Sequence, residues 1–513
     1  MGFHGMVKTL ASVFSSMQGR NFPWSHILVP LAFWSAIAFF IPIADAFELH
    51  CDEGLNLIKA LLVSQGFSLY EEIWSDQPPV LTFLLSWWFH LFGTSVLAAR
   101  IFIILFATLL VWSFYHIVRR YLGHLPAIFG TSVLVLSYKF LKYSSSVMIG
   151  IPSLALTTAA IFGILIYKEE KKHLSFLALP GILFALSLQT KLYTVFLFPI
   201  LFLYIISSFT ISRKEFSKQN AIAGFLWGSI VLLIYLFIGI ATHSLNYEQI
   251  VSAHFNSNLH ESPRVSQNTL AYIMFQKPQI FARDFDGFLL AAFGIFVIAI
   301  YRLKSGIFPL VWLAAAIFVL SNHIPVWDHH YHLVLIPLAW LSAYSLVPIL
   351  DVFPHKINQI FTIKNWKTSI LLASSVLLLI GFGLRLDAKY YAIRVPGVSH
   401  TYNAQLFQNI QNYKEQTNWI FVDRPIYAFR ANLSIPPELA LISYKRIKSE
   451  AINQEQILSW LQKYKPEQIA LLRFRNNFDI YKSPEIQNYL DSNYIKTKKG
   501  NWSWYLHTKL ENY

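Results

Sequence analysis

The chain has 513 residues, of which 55% are hydrophobic and only 13% are charged. Because soluble globular proteins carry about 25% charged residues, this composition excludes an ordinary soluble enzyme and indicates a membrane protein. The net charge of +14 is typical of lysine and arginine held in cytoplasmic loops beside anionic lipid. We therefore predict no nucleic-acid partner.

A helix that spans a bilayer needs about 20 predominantly apolar residues, and the sequence between residues 27 and 386 is divided into twelve apolar blocks. The first block is too long for the core of a signal peptide, so we interpret it as a retained helix. The blocks are 27–47, 79–93, 96–118, 125–140, 147–167, 174–190, 191–209, 220–241, 286–301, 306–322, 331–350 and 367–386. This pattern predicts an α-helical polytopic protein of the plasma (inner) membrane with about 11–13 transmembrane helices.

Basic segments orient the blocks, because lysine and arginine concentrate in cytoplasmic loops. Lys168–His173 and Arg213–Lys218 are predicted to be cytoplasmic. Four features are then predicted to lie outside: loop 48–78, loop 242–285, the segment His323–His330 and everything after Asp387. Four blocks separate the first outer loop from Lys168–His173, although this orientation requires an odd number of crossings. We therefore predict that one block between residues 79 and 140 is re-entrant, or that two of these blocks share one crossing.

After Arg385 the composition returns to that of a soluble domain. We predict a cytoplasmic N-terminus over residues 1–26, a transmembrane domain over 27–386 and an extracytoplasmic domain over 387–513. The last of these is predicted to be a small α/β unit, with strands at Trp419–Val422, Ile469–Leu472 and Trp502–Leu506 and a helix at Asn453–Tyr464.

Loop 48–78 carries acidic residues at both of its ends. Asp52 and Glu53 follow the first membrane block, and Asp76 precedes two prolines. One interpretation is that all three are ordinary boundary residues in contact with water. Because carboxylates at a membrane edge are costly unless they are used, the three together favour a functional site. Between them, Asn56–Val63 is predicted to be an amphipathic segment in the membrane interface.

The spacing of this loop resembles that of a known family. The motifs are Asp52-Glu53-Gly54, then Gly66-x-x-x-Tyr70, then Trp74-x-Asp76-x-Pro78-Pro79. They are similar to the first external loop of the GT-C glycosyltransferases, in the branch of the protein O-mannosyltransferases and the aminoarabinose transferase that acts on lipid A. Weaker similarities follow at Gly181-x-x-x-Ala185, Gln189-Thr190-Lys191 and His330-Tyr331-His332 with Pro337.

The resemblance implies an inverting glycosyltransferase that moves a sugar from a polyprenyl-phosphate carrier to an acceptor hydroxyl on the outer face of the membrane. The acceptor would belong to a lipid, a glycan or a protein. Asp52 matches the carboxylate expected to act as general base, and Asp76 matches a second acid that orients the acceptor or the sugar. Glu53 is predicted to be a supporting acid.

A lipid-phosphate leaving group needs cationic partners. The resemblance implies that Lys191 supplies one, that His260 and Arg264 form a second group, and that His330 and Tyr331 form a third. Each has a structural alternative: Lys191 would snorkel to the interface, the second group would belong to a solvated loop, and the third would have an interfacial role.

The sequence departs from the family at Gln77, where its branches often carry a basic residue, so this phosphate contact is either missing or supplied by Lys191 or Arg264. No zinc-type spacing and no nucleotide-binding motif occurs, and we predict neither a metal nor a cofactor. Other classes remain as alternatives, namely a transporter or flippase for lipid-linked saccharides, a wall-polymer ligase and an inactive homologue that acts as a binding subunit. Transporters typically show internal repeats, and none is visible here.

Overall fold

The computed structural model describes residues 24–207, 218–252, 269–270, 278–352, 366–386, 403–472, 481, 483–499 and 502–510. A bundle of apolar helices, which we call the body, is followed by a small α/β domain, which we call the tail (described residues 403–510). The helices of the body are α1 (Ser25–Phe40), α2 (Glu53–Ser64), α3 (Val80–Phe92), α4 (Val96–Leu122), α5 (His124–Val135), α6 (Tyr138–Ser145), α7 (Gly150–Glu169), α8 (Ala178–Leu188), α9 (Leu197–Ile206), α10 (Lys218–Ala241), α11 (Pro278–Tyr301), α12 (Ile307–Ser321), α13 (His332–Ala343), α14 (Val347–Val352) and α15 (Trp366–Leu384).

The polytopic helical fold predicted from composition is confirmed. Among the described residues, six helices are long and apolar enough to cross a membrane, and α5 and α6, bent by 73°, pass the same test as a pair. Five further apolar helices are shorter than a full span. Together these segments match the twelve predicted blocks one for one.

Helix α3 is the block that does not cross the body. Its 13 residues extend about 20 Å, less than the roughly 30 Å of a hydrocarbon core. Its inner face packs against α2 and the tail, and the rings of Phe89 and Phe429 lie 5.6 Å apart. The Trp88 indole donates a hydrogen bond to the Ala98 carbonyl at the start of α4. Helix α3 therefore lies at the end of the body that carries the tail, which we call the tail end.

This position of α3 resolves the parity conflict of the sequence. Helix α4 starts at the tail end and finishes beside the end of α7, where Arg120 pairs with Glu169 at 2.6 Å and with Glu170 at 2.8 Å. Lys168 reaches the end of α9 at the same far end, where it donates to the Ser207 carbonyl. Between loop 48–78 and Lys168–His173 the chain thus passes three times, along α4, the bent α5–α6 pair and α7. Of the four blocks in this part of the sequence, α3 is therefore the one that does not pass along the body, and how it lies relative to the membrane stays a prediction.

The tail has the α/β architecture predicted for it, with one additional strand. Its sheet has the order β1-β2-β4-β3, with β1 and β2 parallel and the other neighbours antiparallel. Its elements are α16 (Ala404–Asn412), β1 (Ile420–Val422), α17 (Ile426–Ala431), α18 (Tyr444–Lys448), α19 (Gln454–Tyr464), β2 (Gln468–Leu471), α20 (Pro484–Asn493), β3 (Tyr494–Lys499) and β4 (Trp502–His507). Strand β3 was missed because its alternating lysines resemble a solvated segment.

A fully buried ion pair joins α2 to the body. The Glu53 carboxylate accepts from Arg100 Nε at 2.9 Å and from Arg100 Nη2 at 2.7 Å, and neither side chain is exposed. The same carboxylate accepts backbone N–H groups of Leu49 and Val147. Arg100 also donates to the carbonyl of Ala46. Because every strong polar group of the pair is satisfied, it holds α2, α4 and the start of α7 in one arrangement.

Breaking this pair should destabilise the whole protein. We expect Glu53→Ala to cost about 3–5 kcal/mol, since it leaves the Arg100 guanidinium buried without its counter-charge. The matched control is Glu169→Ala at the half-exposed Arg120 pair, where the loss should be no more than about 1 kcal/mol. Thermal unfolding in detergent measures both, and equal losses would contradict this account.

Candidate functional site

Helix α2 forms the floor of the candidate site. Nine of its twelve residues are buried, because the tail covers the side that would otherwise face water. The segment Asn56–Val63, predicted to be amphipathic, is helical and is covered by protein, and its place in the membrane interface stays a prediction. Asp52 occupies the N-cap position of this helix, next in sequence to the buried Glu53, so the ion pair of Glu53 fixes the place of Asp52.

The Asp52 carboxylate is partly exposed, with a side-chain accessibility of 39%, and it faces a histidine and a thiol. His50 Nδ1 lies 3.7 Å from Asp52 Oδ2 and accepts the Asp52 backbone N–H at 3.2 Å. The Cys51 thiol donates to Asp52 Oδ1 at 3.7 Å. Burial lowers the pKa of His50, against the opposing effect of the Asp52 carboxylate.

Asp76 approaches the same region from the far end of the loop. Its Oδ2 lies 3.2 Å from Lys445 Nζ, and the two side chains are only 16% and 21% exposed. Lys445 belongs to α18 of the tail. The second acid of the first loop is thus paired with a cation from a different domain.

Lys191 is brought to the first loop by a backbone hydrogen bond. The Val80 N–H donates to the Gln189 carbonyl at 3.0 Å, which places residues 189–191 beside the end of loop 48–78. The Lys191 ammonium lies 4.6 Å from the ring centre of Tyr193, and the Tyr193 hydroxyl is fixed by the Gly150 carbonyl at 2.6 Å. Lys191 is only 7% exposed.

Both acids act on the same two buried ammonium groups. Burial lowers the pKa of Lys191 to about 7, aided by the positive charge of Lys445 and opposed by Asp52 and Asp76. Burial also lowers the pKa of Lys59, which is 3% exposed, and the same two carboxylates oppose that shift. Within the described residues, neither Lys59 nor Lys191 forms an ion pair.

This arrangement favours an anionic ligand. When all groups are ionised, the three ammonium groups of Lys59, Lys191 and Lys445 exceed the two carboxylates of Asp52 and Asp76 by one positive charge. A buried ammonium without a counter-charge is costly, and a phosphate placed among the three would remove that cost.

Two predicted site residues point elsewhere. Glu53 is fully buried in the ion pair with Arg100 and supports Asp52 through the position of the backbone. Tyr331 faces the interior of the body, where it lines a small cavity with Asp284 and packs against Phe288 at 6.3 Å between ring centroids.

His330 lies on the site side of the same turn. The centroid of its ring lies 6.4 Å from that of Tyr193, the ring that the Lys191 ammonium contacts, and 4.5 Å from that of His329. The ring of His329 in turn lies 6.3 Å from His50. His329 and His330 therefore lie between the part of the site that contains Asp52 and the part that contains Lys191.

His260 and Arg264 lie outside the described residues. The chain that leads toward them is anchored at the site, because the Gln249 side chain accepts from the Ser75 N–H at 3.0 Å and donates to the Tyr70 carbonyl at 2.9 Å.

One group of side chains has the donor set of a metal site. The ligating atoms of His50, Cys51 and Asp52 all lie within 4.8 Å of one another. Imidazole nitrogen, thiolate and carboxylate are the ligands that Zn²⁺ prefers. The sequence predicts no metal site, whereas the structure places three side chains where they could hold a metal ion.

Sequence reasoning missed Lys59 and Lys445. Lys59 belongs to the helical repeat of α2, where a lysine ordinarily faces water, but in the structure it is buried. Lys445 lies in a run with Arg446 and Lys448, which is typical of a solvated surface. The one hint in the sequence was Gln77, which stands beside Asp76 where the family often has a basic residue, so that a cation from elsewhere in the chain was needed.

Comparisons with known proteins give one family match and several similar solved structures. A family model described as dolichyl-phosphate-mannose-protein mannosyltransferase matches residues 76–239. A search of curated protein sequences finds no match. The fold is similar to that of ArnT from Cupriavidus metallidurans bound to undecaprenyl phosphate, with a TM-score of 0.59 and 10% identity over 94% of this chain and 97% of that one. It is also similar to the oligosaccharyltransferase AglB from Archaeoglobus fulgidus in complex with an inhibitory peptide and a dolichol-phosphate, with a TM-score of 0.53 and 12% identity over 95% of this chain and 75% of that one.

The chain therefore has the fold of the GT-C glycosyltransferases, and the resemblance predicted from its first loop is confirmed. The segment that the family model matches begins at Asp76 and includes Lys191.

The charge coupling within the site is directly testable. After ¹³C-methylation of the lysines, one resonance should titrate near pH 7 and disappear in Lys191→Arg. Asp52→Asn should lower the pKa of Lys191 because it removes a negative charge, and Lys445→Ala should raise it because it removes a positive one. Lys463→Ala, at an exposed lysine of the tail, should leave it unchanged. If Asp52→Asn also left it unchanged, Asp52 and Lys191 would not share one site.

Proposed function

We propose that the chain is an inverting glycosyltransferase that moves a sugar from a polyprenyl-phosphate carrier to an acceptor hydroxyl on the outer face of the membrane. The observation that carries this proposal is that the negative charges of Asp52 and Asp76 both act on the buried ammonium of Lys191, which forms no ion pair within the described residues. The relatives support the donor class, since the similar ArnT structure contains undecaprenyl phosphate and the AglB structure contains a dolichol-phosphate.

The reaction assigns one role to each charged group. The acceptor oxygen attacks the anomeric carbon, and Asp52 takes the hydroxyl proton as general base. The bond from the anomeric carbon to the phosphate oxygen breaks on the opposite face, and its electron pair stays with the phosphate. Lys191 stabilises the charge that develops there. Because the attack is direct, the anomeric configuration inverts.

Asp76 and the histidines complete the proposed site. Asp76 orients the acceptor or the sugar by accepting hydrogen bonds from hydroxyl groups. His330, beside the aromatic platform of Lys191, is placed on the phosphate side, and His260 and Arg264 are proposed to join it from loop 242–285. The acceptor is a lipid, a glycan or a protein.

The proposed orientation follows from the two ends of the body. The far end carries Lys168–His173, the predicted cytoplasmic loop, so the tail end with its acids and the tail is proposed to face outward. The enzyme would then meet its donor in the outer leaflet of the plasma (inner) membrane. Cysteine or glycosylation tagging of the tail would decide this orientation.

Asp52→Asn should slow transfer strongly while it preserves donor binding. We expect the turnover number to fall by about 10²–10⁴-fold, the usual contribution of a general base, with donor affinity changed much less. Asp45→Asn is the matched control, because Asp45 is an exposed acid in the same connection between α1 and α2. The measurement is transfer from a panel of labelled polyprenyl-phosphate sugars to cell-envelope acceptors, with the product anomer assigned by NMR.

Three outcomes would contradict the proposal. Equal transfer by the wild type and Asp52→Asn would remove the general base. A retained anomeric configuration would remove direct displacement. Movement of the intact donor across the bilayer without transfer would identify a flippase. A chelator arm in the same assay tests whether a metal at His50, Cys51 and Asp52 takes part.

A further inference from the structure

We propose that Lys445 of the tail binds the donor phosphate together with Lys191, so that the phosphate site is complete only when the tail is docked. This inference rests on the proposed function and adds the origin of a second phosphate-binding cation. It gives the tail a part in donor recognition that the body alone cannot perform.

The position of Lys445 is the first argument. Its ammonium lies 3.2 Å from Asp76 Oδ2 at a side-chain exposure of 21%, so it is inside the site and not on the outer surface. The positive charge of Lys445 also lowers the pKa of Lys191. Two neighbouring ammonium groups repel each other, whereas an anion bound between them attracts both.

The contact with Asp76 leaves Lys445 able to bind more. An ammonium group has three N–H donors. Within the described residues, Lys445 uses one of them in its ion pair with Asp76. A phosphate oxygen that enters beside Asp76 would take a second donor without breaking the first contact. The carboxylate then holds the ammonium in place for the phosphate.

The neighbouring Arg446 fixes α18 against the loop. Its guanidinium donates to the carbonyls of Glu438 and Leu441 at 2.7 and 3.0 Å. It lies 5.5 Å from the ring centre of Trp74 in the first loop and 5.5 Å from that of Trp460 in the tail. This arrangement clamps the segment that carries Lys445 between the two domains.

The tail as a whole is docked closely on α2. A Cβ atom at Gly54 would lie 2.4 Å from the Ile426 nitrogen, so only glycine permits this approach. Arg430 donates to the carbonyls of Ala46 and Phe47, both at 2.8 Å. The backbone next to Asp52 and the tail therefore pack closely against each other, which places Lys445 beside the first loop.

The experiment compares binding of two lipids by the full-length protein in detergent. The probes are a polyprenyl monophosphate and the matching polyprenol, and the ratio of their affinities isolates the contribution of the phosphate. We expect Lys445→Ala to reduce that ratio by about 10- to 100-fold, as for loss of a hydrogen bond to a charged group. Lys445→Arg should retain most of it, and Lys463→Ala, at the exposed tail pair with Glu438, should match the wild type.

A double-mutant cycle separates phosphate binding from a purely structural pair. If Lys445 served only to neutralise Asp76, Lys445→Ala would have no further effect in an Asp76→Asn background. A persistent loss of phosphate preference in that background supports the proposal, and its absence overturns it. The midpoint of thermal unfolding is measured for every variant, so that a folding defect is recognised and Lys445→Arg then supplies the comparison.

The two proposals fail in different ways. A wild type that does not distinguish the phosphate from the alcohol overturns both the proposed function and this inference. A wild type that prefers the phosphate, with Lys445→Ala showing the same preference, overturns only the role of Lys445.

Discussion

The ion pair between Glu53 and Arg100 is fully buried, and its carboxylate also accepts two backbone N–H groups. Removing either partner would leave a charge in the interior, so the surrounding segments cannot move independently of each other. Asp52 precedes Glu53 by one residue, and its carboxylate faces the opposite way, toward the open site. A catalytic base needs a fixed position more than it needs many contacts. The buried pair of Glu53 and Arg100 holds the backbone of Asp52 in place without contacting its carboxylate, so the oxygens of Asp52 stay accessible to an acceptor.

Much of the fold could be predicted, because the requirement of a bilayer for long apolar helices is written directly into composition. The same reasoning did not single out α3, whose inner residues Leu81, Leu85 and Phe89 pack with α2 and the tail. The composition of a segment shows that its residues avoid water, but it does not show whether lipid or protein covers them. The tail strands at Ile420–Val422, Gln468–Leu471 and Trp502–His507 were predictable since each is a short apolar run. Strand β3 is polar and obtains its place from its neighbour β4.

The site was predictable only where spacing along the chain carries information. Asp52 and Asp76 belong to a recognisable loop, and the structure brings both to Lys191. Lys59 and Lys445 gave no such signal, because the burial of one lysine is not visible in its helical repeat and the other reaches Asp76 from a domain that is distant in sequence. Direction within a turn is equally invisible: consecutive side chains diverge, so that Tyr331 enters the core while its neighbour stays at the site.

Cys51 is the sole cysteine of the sequence, it is exposed, and its thiol lies 3.7 Å from Asp52. A thiol-directed fluorophore or spin label therefore has a single point of attachment in the entire chain. That point is the mouth of the site, and no residue has to be replaced to use it. The natural sequence thus provides a built-in reporter position, from which the arrival of a lipid in the site can be followed spectroscopically in real time.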